Sequence, residues 1–364
     1  MTKIWVDVLT PKQALLFSTF ISDVKHEYDC LVTTRKYDYT NEILKINNIK
    51  AVEIYKYGGG GKYEKLRASI ERSIRLLKHI RVFMPDIALS FTSPDMARIA
   101  FGLGIPFILL TDSPHSVYVN KLTLPLANSV ITPKCTAEGI KRFILKESRL
   151  YTFNGIFEVA WVARHTPNVK VIKKMGLEPY SYVVVRTEES KAAYYGWGSD
   201  ESTTVVRPLI EALLDKLEVI VYTRYRDQSM YVKKIFGKHI KEGRLKLLKR
   251  PLDMLSLEHY AVLVITGGSS MAQESSLMGT PSITLFPKQL ETFEYLRSKG
   301  FPIHFGLKIE DAVKLSLNIV SDPDNYRVKT KSMLNKMEDP IPLIKNVINE
   351  LIWHHNKVGI TWVM

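Results

Sequence analysis

Short β-branched runs alternate with helical or turn-rich segments along this chain, and the alternation starts twice. The first series is KIWVDV, DCLVTT, AVEIY, DIALS, PFILLT and SVITP. A second series opens at Ser181 with SYVVVRT and continues through EVIVYT, RLKLLK, AVLVIT and PSITLF. Strands separated by helices imply right-handed crossovers and therefore parallel sheets. A chain of 364 residues is also too long for one ordinary core. The fold class expected is α/β, with two Rossmann-like doubly wound domains facing a cleft. In such sheets ligands sit beyond the carboxyl ends of the strands, which makes that cleft the expected site. Boundaries are expected at 1–165 and 180–338, joined by a linker at 166–179 that contains Pro167 and Pro179. Residues 339–364 read as an amphipathic helix and apolar tail that cross back over the domains.

Composition narrows the partners. A hydrophobic content of 46% suffices for two cores, and 51 Lys and Arg against 37 Asp and Glu give a net charge of +14. Such a field attracts anions, whether nucleotides, nucleic acids or anionic membranes. No RNA-binding aromatic-glycine signature lies on a strand, which disfavours nucleic acid. Two cysteines, Cys30 and Cys135, offer no disulfide framework, and no signal peptide is evident at the start. Apolar runs such as Ala100 to Leu110 fall short of the roughly 20 residues of a spanning helix. A cytoplasmic protein is expected, able to act peripherally at the inner face of the membrane. The helix KYEKLRASIERSIRLLKHIRVF has Leu66, Ile70, Ile74, Leu77 and Ile80 at helical steps, which predicts its buried face. Arg67, Arg72, Arg75, Lys78 and Arg81 lie off that stripe and form the expected lipid-docking face. The basic run KKIFGKHIKEGRLKLLKR reads as a solvated surface.

Several ligand classes are excluded by their missing motifs. GGGGKYEKL has Lys56 where a phosphate loop needs glycine and Tyr63 where it needs Ser or Thr. No G-x-G-x-x-G follows KIWVDV, FGLGIPF at Phe101 to Phe107 ends a helix and lacks the third glycine, and the histidines form no i, i+4 pair about a glutamate. No cofactor and no metal are therefore expected. AVLVITGGSSMAQESSLMGTPSITLFP, Ala261 to Pro287, is different. Its strand-loop-helix order puts the backbone N–H groups of Gly268, Ser269 and Ser270 at a helix N-terminus, where a phosphate is favoured without any lysine. Gly267 and Gly268 allow close approach, and Glu274, one turn into the helix, is placed to accept from ribose hydroxyls.

That stretch resembles the nucleotide-binding signature of GT-B glycosyltransferases and UDP-N-acetylglucosamine 2-epimerases. The likeness implies that the loop holds a diphosphate and that Glu274 holds the ribose. A broader likeness runs to about residue 330, through IWVDVLTP, SPDMARIAFGLGIP, TDSPH, NGIFEVAWV, VVVRTEE and the loop itself. It identifies the chain as similar to an uncharacterised archaeal family related to those enzymes. The chain departs from them at informative places. Gln13 stands near the position of a histidine in the first loop, and Val185 where the epimerases place a histidine before the arginine. SFTSPD and TDSPHS occupy the places of the epimerase acid blocks, which argues against epimerase chemistry.

The function expected is metal-independent glycosyl transfer from a nucleoside diphosphate sugar, UDP-linked, to an unknown hydroxyl acceptor that is lipid-linked in one version. The first domain would bind the acceptor and the second the donor. Arg186, ending the first strand of the second half, suits a diphosphate, and Arg224 after EVIVYT is a second phosphate contact. His115 after PFILLTD is the candidate base, oriented by Asp112, with Asp7 as its rival. Alternatives are a UDP-sugar 2-epimerase or hydrolase, or a non-catalytic module binding nucleotide sugar or RNA.

Overall fold

The β-branched runs pair in parallel into two sheets. The first holds β1 (Thr2–Val8), β2 (Tyr28–Lys36), β3 (Val52–Lys56), β4 (Ile87–Ser90), β5 (Phe107–Leu110), β6 (Ser129–Pro133) and β7 (Arg149–Phe153), in the order β3-β2-β1-β4-β5-β6-β7. The second holds β8 (Tyr182–Arg186), β9 (Glu218–Tyr222), β10 (Leu245–Leu248), β11 (Leu263–Thr266), β12 (Ser282–Thr284) and β13 (Ile303–His304), in the order β10-β9-β8-β11-β12-β13. Each order reverses direction once, between β1 and β4 and between β8 and β11, and these reversals are the ligand-binding points of doubly wound sheets. Both are α/β units of Rossmann-like type.

The computed structural model describes residues 1–191, 204–248 and 253–358, with side chains described to residue 354. The chain divides into one unit of Met1–Trp161 with Met337–Met364 and another of Val162–Lys336. The segment 166–179, expected as a linker, is packed into the second unit. It forms the helix Val169–Lys173 and buries Ile172 and Leu177 beside Tyr182, Val184 and Leu257. The C-terminal helix Pro340–Val358 does return to the first unit. Lys345 reaches Glu27 at 2.7 Å, Tyr28 donates to Asn349 at 2.6 Å, and Tyr151 donates to Glu350 at 2.8 Å. The apolar tail 359–364 lies outside the described residues, as do residues 249 and 250 of the basic run. Among the described residues no helix is long and apolar enough to cross a membrane.

The helix Lys62–Phe83 corrects the expectation most sharply. The face it buries carries Ala68, Arg72, Leu76 and Ile80, while Leu66, Ile70, Ile74 and Leu77 are 61%, 53%, 56% and 43% exposed. Arg72, expected on the outer surface, is 1% exposed. The reason is electrostatic. Asp7, next to last in β1, lies on the side of the sheet that this helix covers, two residues beyond buried Trp5, and a carboxylate there requires a buried cation. Arg72 Nη2 lies 2.5 Å from Asp7 Oδ1, while its Nη1 is 3.1 Å from Asp7 Oδ2 and 2.9 Å from Asp95 Oδ2. Turning the more apolar stripe inward would remove that cation, so the stripe with the arginine faces the sheet.

Replacing Arg72 by Met leaves two buried carboxylates without their countercharge. Stability at neutral pH should fall by about 3–5 kcal/mol in urea titration. Burial alone would raise the pKa of Asp7, but Arg72, Ser93 and Thr33 bring it below its ordinary 3.8. The stability from this pair is therefore present above that value and lost as pH falls through the depressed one. The gap between wild type and Arg72→Met should narrow in acid, and a constant gap would remove the pair from this role.

Candidate functional site

Polar groups gather at both reversals. On the first sheet, β1 pairs Asp7 with Thr33 of β2 and with Ser90 of β4. Asp7 accepts from Thr33 Oγ1 at 2.6 Å and Ser93 Oγ at 2.6 Å as well as from Arg72, so each carboxylate oxygen takes two hydrogen bonds. A carboxylate has about four acceptor sites, and all are used. Asp7 is fully buried, and its depressed pKa holds it ionised. It has neither the access nor the basicity of a general base, which corrects its place as a rival for that role.

Asp112 belongs to a second buried cluster. Lys12 opens the helix Pro11–Val24, against the preference of a helix N-terminus for negative charge. Two carboxylates compensate: Lys12 pairs with Asp112 and lies 2.7 Å from Glu158. Desolvation would lower the lysine pKa, yet Asp112 and Glu158 hold it above its ordinary value. Burial, opposed by Lys12, raises that of Glu158. Asp112 also accepts from Ser113 Oγ at 2.9 Å. Its carboxylate thus serves Lys12 and Ser113, a correction to the expectation that it orients His115. His115 lies half-buried in the loop after β5. That loop is held by Ser116 N donating to Ser113 O at 3.0 Å, Asn120 Nδ2 donating to Ser113 O at 2.9 Å and Arg142 Nη2 donating to Pro114 O at 3.3 Å. Gln13 bridges the loops after β1 and β4, accepting from Leu9 N at 2.7 Å and donating to Phe91 O at 3.1 Å.

On the second sheet, Arg186 pairs in register with Tyr222 of β9 and Thr266 of β11. Its guanidinium is buried, 4.0 Å over the Tyr222 ring, with Nη1 donating to Thr223 O at 3.2 Å. The loops after β8 and β11 touch closely. A Cβ on Gly267 would lie 2.4 Å from that of Glu188, so only glycine fits. Gly267 N donates to Arg186 O at 3.0 Å and Gly268 N to Thr266 Oγ1 at 2.9 Å. The Gly268 donor expected for phosphate is thereby already engaged. The N–H groups of Ser269 and Ser270 come before the first helical bond, from Gln273 N to Ser269 O, and stand at the start of the helix Ser270–Leu277. Arg224 reaches this helix start: its Nη2 is 4.0 Å from where a Gly268 Cβ would be, and its Nη1 is 3.5 Å from Glu189. Gln228, buried, ties the surrounding loops by accepting from Thr187 Oγ1 at 2.7 Å and Arg224 N at 3.2 Å and donating to Glu188 O at 2.9 Å.

Glu274 is buried in that helix, which packs against Met254–His259 and its fully buried Glu258. Burial first, then the charges of Glu274 and Asp253, push the Glu258 pKa well up, with Arg186 opposing. Both Glu258 carboxyl oxygens lack hydrogen-bond partners among the described residues. Nothing in the sequence singled out Glu258, because a glutamate on a short helix ordinarily faces water. Glu158 did leave a signal, as the single charge within Ile156 to Val162. Among the described residues no group of three His, Cys, Asp or Glu side chains is arranged to hold a metal.

A known family matches residues 2–352. The chain belongs to it: the family described as Protein of unknown function (DUF354). An uncharacterized protein of Methanocaldococcus jannaschii, MJ0665, is 28% identical to this DUF354 chain over 349 residues, 94% of this chain and 96% of its own length. Among solved structures, the M. jannaschii UDP-GlcNAc 2-epimerase in complex with UDP-GlcNAc and UDP superposes with a TM-score of 0.72 at 16% identity, covering 96% of this chain and 100% of that one. The Rickettsia bellii UDP-N-acetylglucosamine 2-epimerase gives 0.73 at 14% identity, with 99% of each chain covered. The Anabaena protein HepE in complex with UDP-glucose gives 0.65 at 13%, covering 96% and 99%. At these identities the likeness establishes a shared fold, two Rossmann-like units of GT-B type.

Glu258 generates a prediction of its own. Since its folded pKa is raised, the stability it permits is complete below the ordinary glutamate value and is lost as pH rises towards the raised one. Glu258→Gln should match wild type in thermal unfolding near that ordinary value and exceed it at neutral pH and above. Parallel curves for the two proteins would mean that Glu258 is ionised in the fold.

Proposed function

We propose that the DUF354 chain is an enzyme using a nucleoside diphosphate sugar, UDP-linked, whose second unit binds the donor. The observation that carries this reading is the approach of Arg224 to Gly268 at the start of the helix Ser270–Leu277. The N–H groups of Ser269 and Ser270 and the guanidinium of Arg224 suit a diphosphate, with Arg186 adding positive potential beneath them. Glu274, one turn along the helix, is assigned to the ribose hydroxyls. Similarity of fold to proteins solved with UDP, UDP-GlcNAc and UDP-glucose supports the same ligand class.

The reaction proposed is glycosyl transfer to a hydroxyl acceptor carried by the first unit. The bond between the anomeric carbon and the diphosphate oxygen breaks, and UDP leaves with the electron pair. The acceptor oxygen bonds to the anomeric carbon, and its proton passes to His115. Charge grows on the diphosphate as the bond breaks, where fixed N–H dipoles and Arg224 stabilise it most. Epimerisation at a sugar carbon is the second reading, favoured by end-to-end similarity to epimerases. Against it, Asp7 and Asp95 at the carboxyl end of the first sheet are paired with buried Arg72, and Asp112 with half-buried Lys12. A carboxylate so paired is a poor acceptor for a carbon-bound proton.

Labelled UDP-sugars supplied alone and with acceptor extracts separate the readings. Product only with acceptor supports transfer, and an epimer formed without acceptor establishes the second reading. Glu274→Ala should weaken UDP binding by about 1.5–3 kcal/mol, as expected for lost charged hydrogen bonds. Unchanged affinity in calorimetry would take the ribose away from Glu274. His115→Ala should lower kcat by about 10² to 10⁴ with UDP affinity preserved. Full turnover in that variant would move the base elsewhere.

A further inference from the structure

The guanidinium of Arg35 is left without a partner by the fold. Arg35 is next to last in β2, one strand outside the reversal of the first sheet, and shares with Thr33 the face that the helix Lys62–Phe83 covers. It is half-buried, its guanidinium makes no hydrogen bond or ion pair among the described residues, and its Nε is enclosed without an acceptor. Burial and then the charge of Arg72 lower its pKa, and Asp95, which opposes them, is already bonded by Arg72 and Ser69. A cation held in this way is costly until an anion reaches it. The surroundings nevertheless fix it in place. Its Cζ lies 5.4 Å from the centroid of the Tyr37 ring and 5.0 Å from that of Tyr57, and the two rings meet edge to face at 4.7 Å. The ladder to β3 is also broken here: Thr34 pairs with Glu53 and Lys36 with Lys56, so Ile54 and Tyr55 both stand opposite Arg35. Tyr55 takes a φ of 64°, in the left-handed region that bulky residues avoid. A bulge of this kind re-aims side chains at the end of a strand.

The aromatic walls hold the guanidinium by its charge and accept none of its N–H groups. A planar fork of donors fits an oxyanion bidentately. Arg72 adds positive charge, as does Lys65, whose Nζ lies 5.8 Å from the Tyr57 ring centroid. Such a field suits a phosphate monoester, which carries up to two charges, better than a carboxylate with one. The start of the helix Lys62–Phe83 is not the receptor, because the Glu64 carboxylate fills the space beside Gly61. We propose that Arg35, walled by Tyr37 and Tyr57, binds a phosphate monoester at the carboxyl end of β2 and that the acceptor substrate carries this phosphate. The site stands on the first unit alone, and its assignment to the acceptor rests on the proposed transfer reaction.

Calorimetric titration of the full chain with inorganic phosphate, at constant ionic strength and with or without saturating UDP, tests the site. Wild type should take up a phosphate that UDP does not displace, and its thermal unfolding should move upward as phosphate is added. Arg35→Met should lower the phosphate affinity by about tenfold or more, with the fold confirmed by circular dichroism and UDP affinity unchanged. Arg35→Lys, which keeps the charge and loses the fork, should fall between, and Arg81→Met, exposed in the last turn of the helix, should match wild type. Methyl phosphate and vesicles containing phosphatidic acid separate the sources. Flotation that Arg35→Met abolishes assigns the phosphate to a lipid headgroup, whereas competition by methyl phosphate without such flotation assigns it to a soluble molecule. No phosphate uptake, or uptake that Arg35→Met leaves intact, overturns the site. Failure of UDP to bind would remove the donor site and leave this one standing. Product formed equally well from an acceptor extract stripped by phosphatase would overturn the assignment to the acceptor.

Discussion

The pairing of Arg72 with Asp7 and Asp95 organises the first unit. A carboxylate at the end of a strand buried on both faces needs a cation, and the helix Lys62–Phe83 supplies it by presenting its less apolar stripe to the sheet. Two consequences follow from that choice. Asp7, at the reversal where a doubly wound sheet ordinarily meets its ligand, is saturated with hydrogen bonds and held ionised. Four aliphatic side chains, Leu66, Ile70, Ile74 and Leu77, meanwhile face outward.

The two units treat charge differently at equivalent points of their sheets. In the first, the cations Arg72 and Lys12 are each shared between two carboxylates. In the second, Arg224 reaches the start of a helix, whose dipole has the same sign, with Glu189 as the nearby acid. Two like-signed features held together define a place where an anion is favoured. That asymmetry is why the donor is assigned to the second unit, and why the acids of the first are given no proton-transfer role.

Much of the fold was legible because strand runs and their spacing are local properties. Parallel pairing, two sheets and the return of the last helix all follow from order and periodicity. The strand-loop-helix order after β11 was legible too, since a β-branched run, two glycines and a helix start adjoin in sequence. What escaped was the result of tertiary electrostatics. Periodicity weighs apolar residues alone, so it selected Leu66, Ile70 and Ile74 as the inner face and could not register that Arg72 has a buried partner far away in sequence. Lys12, Asp112 and Glu158 come from three separated segments, and only the fold reveals that they form one cluster. The segment 166–179 read as a linker because its polarity is mixed, although Ile172 and Leu177 are buried and Val169 and Met175 pack beside them.

The central claim is that the loop after β11, with Arg224, receives the diphosphate of a UDP-sugar. A crystal structure of the protein with UDP bound tests it most directly. The account predicts phosphate oxygens within hydrogen-bond distance of the Ser269 and Ser270 N–H groups and of Arg224, with the ribose hydroxyls on Glu274. Nucleotide density elsewhere on the chain, or an empty loop at saturating UDP, would contradict it.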